Sequence, residues 1–297
     1  MKIGFIGCVE SSYKALEALL NMNNNIEVVA VITKEASKAN SDFVDLSPLC
    51  HQHNVPVHYE KSNNKQDSLS FFKKYDPDVI YCFGWSYLLK SDMLELTPIG
   101  AIGYHPAPLP LARGRHPIIW ALALGLETTA STFFKMDTGA DSGPILSQVK
   151  VDILPDDNAT SLYNKLINTA VKQIVEFTIE LANQTAVFET QDDSRATYWR
   201  KRSRTDGLID WRMRASDIYN LVRALAAPYP GAECIYENRY IVINNVEVHN
   251  ADHPNIFEPG KVLDVDKDRV LVKCGGKSAL WVYNYELASS LNAGDYL

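Results

Sequence analysis

Two stretches of the sequence contain side chains that could move protons. The first is "GYHPAPLPLARGRHPI" (103–118), in which His105 stands directly before a proline. The second is "MDTGADSG" (136–143), which carries Asp137 and Asp141 on a turn with two glycines. Imidazole gains and loses a proton near neutral pH, and a carboxylate can orient the ring or share the proton. These residue types therefore predict an acid–base site.

Both stretches are predicted to be loops that follow strands. Proline fixes φ and lacks an N–H, so the proline-rich stretch is neither the interior of a helix nor a central strand. The acidic turn follows the strand-like "ASTFFKM". If the two strands are neighbours, we expect Asp141 to hydrogen-bond His105, fix its tautomer and raise its pKa. Two alternatives stay open: His105 as a packed structural residue, and aspartates that only cap a turn.

The elements that must position these loops alternate along the first part of the chain. Apolar, strand-like runs ("KIGFIG", "IEVVAVIT", "DVIYCF") are separated by segments with helical spacing ("SSYKALEALLNM", "SPLCHQHN", "DSLSFFKKY"). This pattern predicts an α/β fold with a Rossmann-like, doubly wound and mainly parallel sheet. Ligands of such sheets bind at the carboxyl ends of the strands. "GFIGCVESS" lacks the third glycine of a dinucleotide fingerprint, so no nicotinamide cofactor is expected.

The pattern changes toward the C-terminus. A long amphipathic helix through "ATSLYNKLINTAVKQIVEFTIELAN" closes a first domain, which we predict to span residues 1–190. A polar, charge-rich connector is predicted at 191–212. Short strands such as "YIVINNVEV" and "RVLVKC", divided by turns, predict a small β-rich domain at 213–297 with an OB-like barrel or antiparallel sheet.

Composition excludes several classes of protein. The 297 residues include five scattered cysteines without a CxxC pair, which favours reduced thiols and a cytoplasmic location over a disulfide framework or zinc site. No metal is expected at "HQH", because the spacing lacks a carboxylate partner. No apolar run approaches the ~18 residues of a membrane span. A net charge of −7 disfavours nucleic acid as a partner.

Beyond these patterns, the sequence resembles a known family. "HPAPLPLARGRHPI" and "MDTGADSGPIL" are similar to two elements of the formyltransferases that use N10-formyltetrahydrofolate, with His105 and Asp141 thirty-six residues apart. A third block, residues 198–232, resembles the linker region shared by methionyl-tRNA formyltransferase and the enzymes that formylate nucleotide-linked amino sugars. The resemblance covers roughly residues 1–245 and is strongest to the sugar N-formyltransferase branch.

The resemblance implies a reaction and its site. A neutral amine attacks the formyl carbon on N10 of the folate, and the tetrahedral oxyanion collapses to a formamide and tetrahydrofolate. His105 would stabilise the oxyanion and move protons, while Asp141 would hold His105. N10-formyltetrahydrofolate is then the cosubstrate, and the residues implied to bind it are Phe83, Gly84, Trp85, Tyr87, Leu88, Asp137, Gly139 and Ala140.

One position departs from the family pattern. Relatives usually have Asn two residues before this histidine, whereas this chain has Gly103 and therefore lacks one donor toward the formyl oxygen. Losing such a donor costs about 10²–10³ in rate. We expect an ordered water in the vacated space, the Tyr104 hydroxyl, or His105 alone to replace it. Because of this departure, two alternative hypotheses about function stay open: a formyltetrahydrofolate hydrolase and an inactive binding protein.

The acceptor is expected to be a small molecule. Residues 206–297 carry 13 acidic and 9 basic side chains, and the loop "TKEASKANSDFVDLS" is short and of mixed charge, so the surface does not suit tRNA. Methionyl-tRNA formyltransferase stays the alternative. The resemblance favours a UDP-linked 4-amino dideoxy sugar from bacterial surface-glycan or nonulosonic acid synthesis, and a homodimer through the C-terminal domain. Residues expected to bind this substrate are Tyr104, Arg113, Arg115, His116, Tyr198, Arg200 and Lys201.

Overall fold

Buried apolar runs form a seven-stranded sheet in the first part of the chain. The structure, a computed structural model, describes residues 1–22, 25–37, 40–61 and 65–297. Part of the short loop expected not to suit tRNA, residues 38–39, lies outside the described residues. The first nine strands are β1 (Lys2–Ile6), β2 (Glu27–Thr33), β3 (Val57–Tyr59), β4 (Val79–Cys82), β5 (Ala101–His105), β6 (Arg113–Gly114), β7 (Thr128–Lys135), β8 (Ile145–Asp152) and β9 (Tyr198–Trp199).

The strand order in the large sheet is β3-β2-β1-β4-β5-β7-β8. The first five of these strands are mutually parallel, and β7 runs antiparallel to β5. Helices connect the parallel strands: α1 (Glu10–Leu20), α2 (Ser47–Gln52), α3 (Lys65–Tyr75) and α4 (Ser91–Leu94), with α5 (Pro117–Ala123) and α6 (Ala159–Ala182) later in the chain. The predicted Rossmann-like, mainly parallel sheet is confirmed.

The direction of winding changes beside β1. From β1 the chain builds outward through β2 and β3 on one side, and through β4 and β5 on the other. The loops after β1 and β4 therefore flank a topological switch point, where open parallel sheets form their ligand crevices. Ser12 at the start of α1 joins the two loops, since its hydroxyl donates to the carbonyl of Phe83 at 2.6 Å.

Alternating side chains bury both faces of the sheet. Phe5, Tyr81 and Ile102 point to one face and pack with α1 and with the second half of α6. Their neighbours Ile6, Ile80 and Ala101 point to the other face and pack with α3 and α4. The period of two along each strand places consecutive residues on opposite faces. In β5 the same alternation separates Tyr104 from Gly103 and His105.

The chain divides into two compact units. The first comprises residues 1–117, 129–151 and 164–199, and the second comprises 118–128, 152–163 and 200–297. The second unit thus includes two short segments that precede residue 190 in sequence. The boundaries expected at 190 and 212 stay a prediction, because sequence patterning cannot report which distant segments pack together.

The second unit is rich in antiparallel β-structure, as predicted. Strands β12 (Val246–His249), β15 (Ala279–Tyr283), β14 (Arg269–Lys273) and β13 (Val262–Asp266) form a four-stranded sheet in that order. A separate hairpin pairs β10 (Ala232–Tyr236) with β11 (Arg239–Ile243). Two helices, α7 (Ala215–Ala224) and α8 (Tyr285–Ser290), belong to the same unit. Among the described residues, no helix has the length and apolar character that crossing a bilayer demands.

Candidate active site

His105 is the last residue of β5 and lies at the carboxyl end of the sheet. Its side chain is buried, and Nε2 lies 2.8 Å from the carbonyl oxygen of Ala112. A carbonyl oxygen only accepts hydrogen bonds, so Nε2 carries a hydrogen and donates it. In the neutral ring, Nδ1 is then the nitrogen with a free lone pair. The structure therefore fixes which nitrogen of His105 can accept a proton.

The proline-rich loop after β5 is held in place by β7 and β8. Thr132 on β7 donates its hydroxyl hydrogen to the carbonyl of Ala107 at 2.7 Å. Gln148 on β8 donates to the carbonyl of Leu109 at 3.0 Å. Farther along, Ala112 adopts a left-handed backbone with φ 59°. These contacts fix the segment that carries the carbonyl partner of His105.

Asp141 lies beside His105 but does not hydrogen-bond to it. Its Oδ2 is 3.7 Å from His105 Nδ1, which is longer than a hydrogen bond. The same oxygen accepts from the backbone N–H of Gly114 at 2.8 Å. The expected proximity of the two residues is present, whereas the expected direct hydrogen bond is not formed, because Gly114 holds the carboxylate. The side chain of Asp141 is about a fifth exposed, so part of the carboxylate is open to solvent.

Asp137 has a local structural role in the acidic turn. Its Oδ1 accepts from the N–H of Gly139 at 2.9 Å and from the hydroxyl of Ser142 at 2.8 Å. A Cβ at Gly139 would lie 2.1 Å from Ser142 Oγ, so a larger residue there would displace the hydroxyl that binds Asp137. Ala140 is exposed at its tip. For Asp137, the turn-capping alternative describes the observed geometry.

The loop after β4 combines one buried ring with exposed apolar side chains. Phe83 is buried in the core, while Tyr87 and Leu88 are 46% and 68% exposed. Gly84 has φ 63°, and a Cβ there would lie 2.1 Å from Val9, so the chain turns sharply at this residue. The Lys34 ammonium lies 4.5 Å from the ring centroid of Trp85 and 4.3 Å from that of Tyr87. The outer part of the loop therefore exposes the Tyr87 ring and the Leu88 side chain to solvent, with Lys34 lying over the two aromatic rings.

The space expected beside Gly103 is occupied. A Cβ at this position would lie 2.8 Å from Met136 Cγ and 3.1 Å from Phe134 Cζ. Met136 and Phe134 therefore fill the volume in which an ordered water was expected to replace the missing amide. This correction removes one of the three expected substitutes for the family's asparagine.

Tyr104 points away from His105. Its ring packs 4.8 Å from that of Phe133, and its hydroxyl accepts from Ser131 at 3.3 Å. Burial raises the pKa of this phenol. The alternation along β5 puts the Tyr104 side chain on the opposite face of the sheet, so its hydroxyl is not placed to replace the missing donor or to contact a substrate at His105.

Arg113 is an interior residue, contrary to its expected role in binding a substrate. It is 1% exposed, and it donates to Gln191, to Asp193 at 2.8 Å and to the Tyr198 hydroxyl at 3.0 Å. Because four of its five N–H donors bond within the protein and the side chain is buried, the guanidinium is not exposed to bind a diphosphate. Tyr198 is 63% exposed, although its hydroxyl accepts from Arg113.

The other residues expected to contact the substrate have mixed positions. Arg115 is exposed in the loop after β6, and the neighbouring His116 is partly buried with φ 59°. In the second unit, Arg200 pairs with Asp206 and lies over the ring of Trp120 at 5.2 Å. Lys201 is exposed. Arg115 and Lys201 are therefore the more available of these cations.

Two contributors to the site were not predicted from the sequence. Gln191 donates to the carbonyls of Asp141 and Gly143, and Lys34 lies against the aromatic loop. Gln191 stands in the polar stretch "QDDSR", fifty residues after Asp141, and no spacing rule links the two. No group of three or more His, Cys, Asp or Glu residues within the described ranges could hold a metal ion.

Comparison with known proteins identifies the class. Residues 1–178 match the formyl transferase family, and residues 201–296 match the formyl transferase C-terminal domain. The chain belongs to the formyl transferase family, which confirms the resemblance seen in the sequence and makes the protein an N-formyltransferase enzyme.

Solved structures of three relatives share the fold. WlaRD, a sugar 3N-formyl transferase studied with dTDP and 5-N-formyl-THF, matches with a TM-score of 0.72 at 15% identity, over 95% of this chain and 97% of that one. An N-formyltransferase from Helicobacter canadensis, in complex with folinic acid and dTDP-3-aminofucose, matches with 0.72 at 15% identity, over 96% and 100%. Methionyl-tRNA formyltransferase from Clostridium thermocellum matches with 0.63 at 17% identity, over 84% and 94%.

Proposed function

We propose that this enzyme transfers a formyl group from N10-formyltetrahydrofolate to the primary amine of a nucleotide-linked amino sugar. The observation that carries the proposal is the pair formed by His105 Nδ1 and Asp141 Oδ2, 3.7 Å apart at the carboxyl end of the sheet. Family membership supplies the reaction type. The two sugar enzymes with a TM-score of 0.72 support the class of acceptor.

The proton balance of this reaction suits the pair. The acceptor amine forms a C–N bond to the formyl carbon, and the bond from that carbon to N10 of the folate breaks. The amine loses one proton and N10 gains one, so the site must hold a proton between the two events. His105 Nδ1 is the nitrogen left to receive it, because Nε2–H is engaged with Ala112. The Asp141 carboxylate stabilises the imidazolium that forms.

Charge on the formyl oxygen grows during the attack, and a donor near it lowers the barrier. Since Met136 fills the space beside Gly103 and Tyr104 points to the other face, His105 is the remaining one of the three substitutes considered. We propose that, once Nδ1 has taken the amine proton, the resulting N–H stabilises the charge on the formyl oxygen.

We propose that the folate binds beside the loop after β4. The exposed Tyr87 and Leu88 supply an apolar surface at the topological switch point, and the acidic turn at Asp137–Gly139 is also exposed. N10-formyltetrahydrofolate supplies the activated formyl group when bound. In this proposal, Phe83, Gly84 and Trp85 shape the loop, while Tyr87 and Leu88 contact the cosubstrate.

The finer acceptor we propose is a UDP-linked 4-amino dideoxy sugar. The two sugar relatives are described with dTDP. The nucleotide of this enzyme's acceptor and the position of its amine are therefore what the test must determine. Exposed Arg115 is the cation proposed to meet the diphosphate, and the expected role of Lys201 stays a prediction. We propose a cytoplasmic location because all five thiols are unpaired, as is usual in a reducing compartment. A homodimer stays a prediction.

The test is an acceptor panel assayed by mass spectrometry. UDP- and dTDP-linked 3- and 4-amino sugars are each incubated with enzyme and N10-formyltetrahydrofolate, and tetrahydrofolate release is followed in parallel. We expect one sugar to gain the mass of CO in step with tetrahydrofolate. His105→Gln and Asp141→Asn should each lower kcat by about 10²–10⁴-fold. His58→Gln, which alters a histidine stacked on Phe71, is the matched control.

Each of the other outcomes would favour a different function or overturn the assignment of the site. Tetrahydrofolate release without a formylated sugar would favour a formyltetrahydrofolate hydrolase. Formylation of charged initiator tRNA, and of no sugar, would favour the tRNA reaction. Full activity in His105→Gln would overturn the assignment of the site.

A further inference from the structure

Gln191 links a buried arginine to the turn that carries Asp141. We propose that Gln191 is a positioning residue, which fixes the Asp141 carboxylate relative to His105 without contacting the substrate. The inference rests on the proposed function, because it assigns Asp141 to the formyl transfer. No pattern in the sequence connects this residue to the site, and its role follows from four hydrogen bonds.

The oxygen and the nitrogen of the Gln191 amide bind different parts of the protein. Oε1 accepts from Arg113 Nε at 3.1 Å and from Nη2 at 2.8 Å. Nε2 donates to the carbonyl of Asp141 at 2.9 Å and to that of Gly143 at 2.6 Å. Guanidinium groups only donate and carbonyls only accept, so the orientation of the amide is unambiguous. All four hydrogen-bonding positions are used.

The Arg113 end of this linkage is firmly anchored. Arg113 is 1% exposed, and the backbone of β6 pairs with β9 through Arg113–Tyr198 and Gly114–Trp199. Its guanidinium also donates to Asp193. A buried charge with several directed hydrogen bonds has little freedom to move. Gln191 is 8% exposed and is therefore fixed by a rigid interior group.

The Asp141 end is the part that needs support. Asp141 has φ 56°, a left-handed conformation that residues other than glycine adopt infrequently. At Gly143 the turn passes so close to β7 that a Cβ would lie 1.7 Å from the carbonyl oxygen of Lys135. Gln191 ties the carbonyls of both residues, while Gly114 N–H binds the carboxylate itself. Residues of β6 thus hold both parts of the site. Arg113 supports the backbone of the turn through Gln191, and Gly114 binds the Asp141 carboxylate.

Small displacements at this point have large kinetic consequences. His105 Nδ1 and Asp141 Oδ2 are 3.7 Å apart, and a shift of the turn changes this separation directly. A misplacement of ~1 Å costs about 10²-fold in rate when the reacting groups depend on orientation. Gln191 therefore affects catalysis through Asp141, and its loss should reduce kcat more than it raises KM.

The discriminating variant is Gln191→Glu. It keeps the shape of the side chain and an oxygen for Arg113, but it replaces the amide that donates to Asp141 and Gly143 with a carboxylate oxygen that repels both carbonyls. Gln173→Glu is the matched control. Gln173 is 2% exposed and also donates twice, to Ser131 and Ser147, on the face of the sheet away from His105.

Two readouts separate this inference from the proposed function. In the acceptor assay, we expect Gln191→Glu to lower kcat about 10²-fold with KM for both substrates changed less than about threefold, while Gln173→Glu keeps at least half of kcat. In the histidine side-chain NMR spectrum, which needs no substrate, the His105 signal is assigned by its loss in His105→Gln. Gln191→Glu should shift that signal and Gln173→Glu should not.

The outcomes can be told apart. If the wild type formylates no acceptor but the His105 signal still moves in Gln191→Glu, the proposed function fails and the positioning role stands. If Gln191→Glu leaves both kcat and the His105 signal as in the wild type, the inference is overturned. Equal losses of kcat in both glutamate variants would also overturn it, since they would reflect general destabilisation.

Discussion

At position 103 the backbone of β5 passes close to the side chains of Met136 and Phe134, and only glycine fits without a rearrangement. A Cβ would lie 2.8 Å from Met136 Cγ, inside the distance at which carbon atoms repel strongly. Where relatives usually carry an amide donor, this enzyme has a thioether side chain in contact with the strand. The chemistry at His105 is thereby left to fewer donors.

This packing makes a prediction about Gly103→Asn. Overpacking a filled site destabilises a protein by about 1–3 kcal/mol, so we expect the asparagine variant to unfold at lower denaturant concentration than the wild type. Adding Met136→Ala should recover part of the loss, because the shortened side chain vacates the contested volume. Urea unfolding of the four proteins in this double-mutant cycle measures the coupling. Additive free energies, or a fully stable Gly103→Asn, would contradict the packing argument.

The sequence predicted that His105 and Asp141 lie together, but not how each of them is hydrogen-bonded. The types of His105 and Asp141, and the strands before them, indicated that the two side chains would lie close together. They do, although β7 runs antiparallel to β5, so the two strands end at opposite edges of the sheet. That Gly114 holds the carboxylate instead of His105 depends on the path of the 106–116 loop, which passes through the left-handed residues Ala112 and His116. Nothing in composition or periodicity reports such a path.

At the scale of elements, short-range patterns were sufficient for the parallel sheet and its helices. Strands such as β1 and β4 are continuous apolar runs, and α3 shows clear helical spacing. The pairing of β6 with β9 was not foreseen, because each strand has two residues and they lie 85 positions apart. This pairing fixes Arg113, so the failure to predict it also explains why Arg113 was expected to face the substrate.

A short 3₁₀ helix, Arg204–Gly207, provides a test of local stability in the second unit. The Asp206 carboxylate accepts from the N–H of Ser203 at 2.7 Å and from Arg200 at 2.9 Å. The hydrogen bond from Arg200, followed by that from Ser203, holds the pKa of Asp206 well below its ordinary value of 3.8. The folded state therefore favours the ionised carboxylate.

Asp206→Asn should destabilise the protein by about 1 kcal/mol at pH 7, the usual value of a lost cap, because the surface ion pair itself adds little. Because the pKa is depressed in the folded state, this contribution is fully present above the ordinary value of 3.8 and is lost only as the pH falls through the lower folded-state pKa. Denaturant unfolding from pH 7 down to pH 2 should therefore show a constant difference between the variant and the wild type above pH 3.8 and a shrinking difference below it. Asp268→Asn, in an exposed turn, is the control, and a pH-independent difference for Asp206→Asn would refute the linkage.

At the scale of the whole molecule, the amino-acid composition bears on the class of ligand. It says little about how the chain divides into compact units. The net charge of −7 is consistent with a small acceptor, because an acidic surface gives no general attraction for a polyanion. The grouping of residues 118–128 and 152–163 with 200–297 is a property of tertiary packing, and no local pattern marks either segment as separate from its sequence neighbours.

Both compact units contain buried cysteines, so the reactivity of the thiols reports on the packing of each unit. Cys8, Cys50 and Cys82 belong to the first unit, Cys234 and Cys274 belong to the second, and all five are unpaired and buried. Burial raises the pKa of Cys8 and Cys234 to about 11 and that of Cys50 and Cys274 to about 12, and it also raises that of Cys82. Thiolates are the reactive species, so these groups are protected twice, by low ionisation and by low access.

We therefore expect no rapid reaction of the native enzyme with a thiol reagent such as 5,5′-dithiobis(2-nitrobenzoate) at pH 8, and five equivalents of reaction after unfolding in guanidinium. Slow labelling of the native protein should follow the opening of each unit, since a buried thiol reacts only when its surroundings open. Mass spectrometry of partially labelled samples then gives the order in which the units open. Rapid labelling of one thiol in the folded protein would show that the core around that cysteine is not closed, and the fully unfolded sample provides the reference for complete reaction.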